Sequence, residues 1–280
     1  MPISRSCERR HYGGARAALM VALSAMVALC CLAGWQMAQP ANTPASPSAA
    51  PDDWGYPFPQ VDWAYWQATN PDVVAWLSIP GTGVDGPVCA APSGDPTYYL
   101  DHDVYRNPSD HGCLYLDASS GGGMLETPNA VICGHNAGDG LMLADAAHYA
   151  NHEWADKHAT IYVQTPEGAW AYEVAASEVI SGWTAAKRTS FADQASFARW
   201  WDERTAGASV LRASQAPDVA PAYEWAALAS EGEEAPSVEA SEPTEHLVTL
   251  CTCSYYLRPA NERTLTYAVA RPADNLLVRG

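Results

Sequence analysis

At 280 residues and 48% apolar side chains, the chain can bury the core of one large or two small domains. Its formal net charge is −17, and beyond residue 37 it holds 31 acids against 11 lysines and arginines, a balance of −20. Such a surface repels polyanions, which excludes DNA and RNA as expected partners.

Residues 17–35, AALMVALSAMVALCCLAGW, form a charge-free apolar run of 19 residues, preceded by Arg5, Arg9, Arg10 and Arg16. The run is long enough to span a bilayer, and the arginines would hold the N-terminus in the cytoplasm. A cleaved signal peptide is the competing reading, and its apolar core would be unusually long. Either way, the remainder is expected outside the membrane. The expected division is a basic N-terminus at 1–16, a signal-anchor at 17–37, a linker at 38–55 and a catalytic domain at 56–280. The linker reading rests on the Pro/Ala/Ser tract QPANTPASPSAAPDD.

Residues 59–77 place Val61, Trp63, Trp66, Val73, Val74, Trp76 and Leu77 at roughly helical spacing, interrupted by TNPD at 69–72, and predict two short helices. From residue 78 onward, short apolar runs bounded by Gly, Pro and Asp predict the strands of a barrel or sandwich with helical inserts. An amphipathic segment is expected from Leu141. The stretch SFADQASFARWWDERTAG, 190–207, predicts a helix with Ser190 as N-cap and Phe191, Phe197, Trp200 and Trp201 near one face. The acidic, Ala/Ser/Pro-rich residues 212–244 read mostly as loop.

Five cysteines lie beyond the apolar run: Cys89, Cys113, Cys133, Cys251 and Cys253. An odd number leaves at least one thiol free of any internal bridge. In HLVTLCTCSYYLRPANERTLTYAVAR, 246–271, Cys251 and Cys253 share a strand face, too far apart at the Cα for an easy mutual disulfide. Cys253 ends that strand, and Arg263 begins the next after the turn RPAN. Earlier, the strand-like AVIC ends at Gly134 and places His135 on a loop. A thiol, an imidazole and a guanidinium at strand ends are the parts of an acyl transferase: nucleophile, proton donor to a leaving amine, and fixed cation beside a developing oxyanion.

Thr249-Leu250-Cys251-Thr252-Cys253 fits the TLxTC signature of the sortases, and the spacing to Arg263 fits their arginine. ICGHNAGDGLMLADAAHY, NPDVVAWLSIPGTGVDGPV and YYLDHDVYRNPSDHGCLYLD are similar to class B sortases in particular, in order over roughly 60–275. The resemblance implies a mainly β fold, an eight-stranded sortase-type barrel with N-terminal helices and a helix in the connection between the sixth and seventh strands. It implies a cysteine transpeptidase that cleaves an NPxTN- or LPxTG-like sorting signal after Thr. The acyl group would pass through Cys253 to an amine of a cell-wall precursor or a pilin. His135 would be general acid and base and Arg263 the oxyanion or substrate clamp; Thr252, a substrate-binding residue, would sit beside the thiol and help orient the scissile carbonyl, while Leu100 and Cys251 would line the peptide groove. The partners implied are secreted proteins bearing sorting signals and the membrane around the anchor; no cofactor is implied.

Some class B relatives carry a carboxylate beside the nucleophile, where Ser254 and Tyr255 stand here. Asp139 and Asp145 follow His135 but read as loop and helix-surface residues. Three rivals remain at this level: a zinc site built from Cys133, His135, Cys251 and Cys253, a cell-wall cysteine peptidase, and a peptide-binding scaffold without turnover.

Overall fold

In the computed structural model, residues 60–182, 184–219, 245–254 and 261–270 are described. The expected anchor and linker, and most of the expected acidic loop, lie outside them. All but Gln60 belong to one compact unit, Val61–Gly280. Among the described residues no helix is long and apolar enough to cross a membrane.

Asp62 caps helix α1 (Trp63–Thr69) by accepting a bond from Tyr65 N at 2.9 Å. The second helix expected before residue 77 is instead strand β1 (Val73–Ser78). Ala75 and Leu77 face one core, whereas Val73 and Trp76 pack in another, Trp76 lying 5.7 Å from the ring of Trp66. A strand covered on both faces reads as a near-continuous apolar run, and a register shift between Val73 and Ala75 adds a false helical spacing.

Eight further strands follow: β2 (Asp85–Ala90), β3 (Leu114–Leu116), β4 (Asn129–Cys133), β5 (Thr160–Gln164), β6 (Ala169–Ser181), β7 (Val210–Leu211), β8 (His246–Ser254) and β9 (Glu262–Ala270). Their order is β5-β1-β2-β3-β4-β8-β9-β6-β7, and β5 also pairs with β6. That pairing closes eight strands into a barrel, with two-residue β7 appended to β6. Pairs β2–β3 and β4–β8 are parallel; the other pairs are antiparallel. The mainly β barrel expected from the sequence is therefore present.

Inward residues of the barrel strands, among them Leu77, Val88, Leu116, Ile132, Val163, Tyr172 and Leu250, form one core. Outside the wall, helix α3 (Gln194–Thr205) packs Trp200 and Trp201 edge-on to Tyr267 of β9, at 5.6 and 5.8 Å. The helix lies where the resemblance implied one, between the sixth and seventh barrel strands. Its N-cap is Asp193 rather than Ser190: Asp193 Oδ1 accepts from Ser196 N at 2.7 Å, while Asp193 N donates to Ser196 Oγ at 3.2 Å. This reciprocal box satisfies two otherwise orphaned groups, which a single Ser190 hydroxyl would not do. Phe191 stays outside the helix yet meets the Phe197 ring edge-on at 4.9 Å.

The segment beyond Leu141 is broken into a 3₁₀ turn (Asp145–Ala150) and helix α2 (His152–Lys157), with Asn151 capping the latter through Trp154 N at 3.1 Å. The stretch 98–117 is mostly crossover: a 3₁₀ turn (Tyr98–Leu100), then loop, then three-residue β3.

Candidate active site

The site is set by three neighbouring strands. β4 and β8 run parallel with Cys133 opposite Cys251, and β9 runs antiparallel to β8 with Arg263 opposite Cys253. One step beyond β4, Gly134 N donates to Cys251 O at 3.3 Å. A Cβ on Gly134 would stand 2.9 Å from both Leu114 Cδ2 and Leu143 Cγ, so only glycine allows the chain to leave the strand there. His135 comes next, on the loop, as expected.

Two side chains fasten that loop to β8. Thr252 Oγ1 donates to Gly134 O at 2.9 Å, and Asn136 Nδ2 donates to Cys253 O at 2.9 Å. The residues on both sides of His135 are thus tied to the end of the strand that carries Cys253. The Thr252 side chain is buried and its hydroxyl is committed to Gly134, so it helps position the loop that carries His135. Asn136 was not singled out from the sequence, because an Asn in a Gly-rich loop reads as turn chemistry.

His135 Nε2 lies 2.7 Å from Leu100 O. A carbonyl only accepts, so Nε2 carries the hydrogen in the neutral ring and Nδ1 is left for proton exchange. Leu100 therefore enters the site through its backbone, while its side chain is exposed. Asp139 and Asp145 brace the same loop. Asp139 Oδ1 accepts from Leu141 N at 3.1 Å and its Oδ2 lies 2.7 Å from His111 Nε2; the Leu141 amide, then His111, hold this carboxyl below its usual range. Asp145 Oδ2 accepts from Gly83 N at 2.7 Å.

Cys253 is half-buried and Cys251 is buried on the same face. Cys251 meets Cys133, whose hydrogen bond pulls the Cys251 thiol down against its burial, with Lys187 and Arg263 adding to the pull. The same bond, with burial, raises Cys133. Lys187 is ion-paired with Asp117; burial opposes its charge, and Cys133 and Asp117 outweigh that. Arg263 Nη1 donates to Glu262 O at 2.9 Å. A Cβ on Gly182, at the end of β6, would collide with Asn261 and stand 3.4 Å from Arg263 Nη1, which places the guanidinium over that glycine. Across the same rim Ser254 Oγ donates to Glu262 Oε2 at 2.9 Å, so a carboxylate of β9 does neighbour the strand that carries Cys253. A cavity of about 390 Å³ between the start of β1, residues 122–126 and the β5–β6 turn is lined by none of these residues. Among the described residues no three His, Cys, Asp or Glu side chains converge as a metal site.

No family model matches the chain. It is 32% identical over 108 residues to sortase B of Listeria monocytogenes, covering 39% of this chain and 42% of that protein. It is 24% identical over 134 residues to sortase B of Staphylococcus aureus, covering 48% and 54% respectively. The chain thus spans about half the length of the curated relatives it matches. Among solved structures, the Staphylococcus aureus sortase B–substrate complex superposes with a TM-score of 0.56 at 18% identity, over 78% of this chain and 85% of that one. Clostridium perfringens sortase B gives 0.57 at 18%, over 74% and 98%.

The fold is that of a sortase barrel. Within that class the likeness runs to sortase B in sequence and in structure, so the class B resemblance read from the TLxTC string and the histidine loop is borne out.

Proposed function

We propose that the chain is a cysteine transpeptidase of the class B sortase kind, anchored by residues 17–37 with its N-terminus inside and its barrel outside the membrane. The sorting signal is NPxTN- or LPxTG-like, and the acceptor is an amine of a cell-wall precursor or a pilin. A single observation carries the reading: β4, β8 and β9 are neighbours, and their ends bring positions 135, 253 and 263 to one rim of the barrel.

In the proposed reaction the Cys253 thiolate attacks the scissile Thr carbonyl, forming a C–S bond while Arg263 meets the charge on oxygen. His135 gives a proton to the departing amine as the C–N bond breaks. The incoming amine then attacks the thioester, His135 takes its proton, and the C–S bond breaks to release the Cys253 thiolate. Water in place of that amine gives hydrolysis as a side reaction. The likeness to a sortase B solved as a substrate complex supports a sorting-signal peptide as the ligand. Tethering enzyme and substrate to one membrane would raise their effective concentration.

The test is mass spectrometry of the chain incubated with a panel of sorting peptides and an amine. A thioester at Cys253, absent from Cys253→Ala and largely retained in Cys251→Ala, is expected. No adduct across the panel would replace this reading with that of a peptide-binding scaffold.

A further inference from the structure

Four of the five cysteines among the described residues fall into two neighbouring pairs, and only Cys253 stands apart. Cys133 and Cys251 border the site already described. Cys89 and Cys113 lie in the same outer cluster, two strands away on β2 and at the start of β3, and nothing in the proposed chemistry uses them.

We propose that Cys89 and Cys113 are a disulfide site, closed by exchange with a low-molecular-weight disulfide, and that the bridge staples the crossover which presents Leu100 to His135. The two sulfurs lie 3.8 Å apart in the thiol form. Because β2 and β3 are parallel, with Cys89 opposite Tyr115, the two cysteines face each other diagonally across one strand pair. Closing to the length of a disulfide asks for roughly 2 Å of approach, within the reach of side-chain rotation and a small backbone shift.

The surroundings already hold both sulfurs in place. Asn70 Nδ2 lies 3.8 Å from Cys89 Sγ and donates to Tyr99 Oη at 2.7 Å and Val104 O at 2.9 Å. Cys113 N donates to Tyr99 O at 2.9 Å. Tyr99 is followed directly by Leu100, whose carbonyl meets His135 Nε2. The pair therefore closes the segment whose Leu100 carbonyl meets the His135 imidazole. Cys113 is 6% exposed and Cys89 is fully buried, so Cys113 meets the oxidant first. The Cys113 hydrogen bond, then burial, hold the Cys89 thiol well above its usual range, which keeps Cys89 protonated while Cys113 is still a thiol.

The exchange balances without any other reagent. The Cys113 thiolate attacks one sulfur of R–S–S–R, forming a mixed disulfide and expelling R–S⁻. The Cys89 thiolate attacks the Cys113 sulfur and expels the second R–S⁻. Two protons leave the protein thiols and end on two R–SH, while the protein sulfurs lose two electrons and the reagent gains them.

The experiment incubates the full chain, purified in detergent, with oxidised glutathione. Remaining thiols are alkylated, and a non-reducing digest is read by mass spectrometry. The expected product is a linked pair of peptides containing Cys89 and Cys113. Melting should rise by about 5–10 °C over the reduced chain, as a bridge across a segment of this length gives. The rise should vanish in Cys113→Ala and persist in Cys133→Ala. Alkylation of both Cys89 and Cys113 after oxidation overturns the proposal. So does glutathione left on Cys113, or a link formed at Cys133–Cys251 instead.

Discussion

Asn136 shows how much of the site is held by groups that do no chemistry. Its amide donates to the backbone oxygen of Cys253, and Thr252 donates in the opposite sense to Gly134, so loop and strand clasp each other on both sides of His135. Each such bond contributes about 1 kcal/mol to stability. A misplaced imidazole costs more in rate than in folding. Asn136→Ala should therefore lower kcat for peptide cleavage roughly tenfold or more while leaving the melting temperature within a few degrees of the parent. Equal losses in both would mean the bond is merely structural. Arg263→Lys keeps the charge but loses the planar fork, and should reduce kcat by about a hundredfold, measured by thioester formation under single turnover. The strand ends near Cys253, His135 and Arg263 were legible because Gly, Pro or Asn punctuates them, while the roles proposed for these residues came from the resemblance. Asn136, and the backbone role of Leu100, were not, since both depend on a partner far away in sequence.

Among the elements, helix α3 was legible in its apolar face and misread at its start. Four aromatic side chains within eleven residues point to a packed surface whatever the cap, whereas cap identity turns on one local geometry. Asp193→Ala should cost about 1 kcal/mol and lower the melting temperature by about 2–4 °C, read by calorimetry. Ser190→Ala should leave it unchanged. Strand β1 was lost to helix for the opposite reason: burial on both faces erases the alternation by which a strand is recognised.

For the whole molecule, the barrel puts His246 where water cannot reach. Its Nε2 lies 2.9 Å from Thr127 O and must donate, so Nδ1 accepts from Tyr172 Oη at 2.9 Å. Burial drives its pKa down to about 4, against 6.5 for the free side chain, although the Thr127 bond pulls the other way. Above pH 6.5 neither folded nor unfolded chain protonates this ring. As pH falls from 6.5 to about 4 the unfolded chain takes up the proton first, so stability is lost across that window by roughly 3 kcal/mol. Urea unfolding at pH 7.5 and pH 4.5 checks this, and the difference should shrink in His246→Gln. The closure of β5 onto β6, and the two parallel pairs, were beyond sequence reading, because each joins segments whose composition says strand without naming the neighbour.

The parallel seam between β4 and β8 orders events in time. More than a hundred residues separate its two strands, and the later one carries the thiol. A growing chain that has already laid down β1 to β6 has His135 but neither Cys253 nor Arg263. Under the proposed reaction, chemistry waits on the arrival of the last two staves.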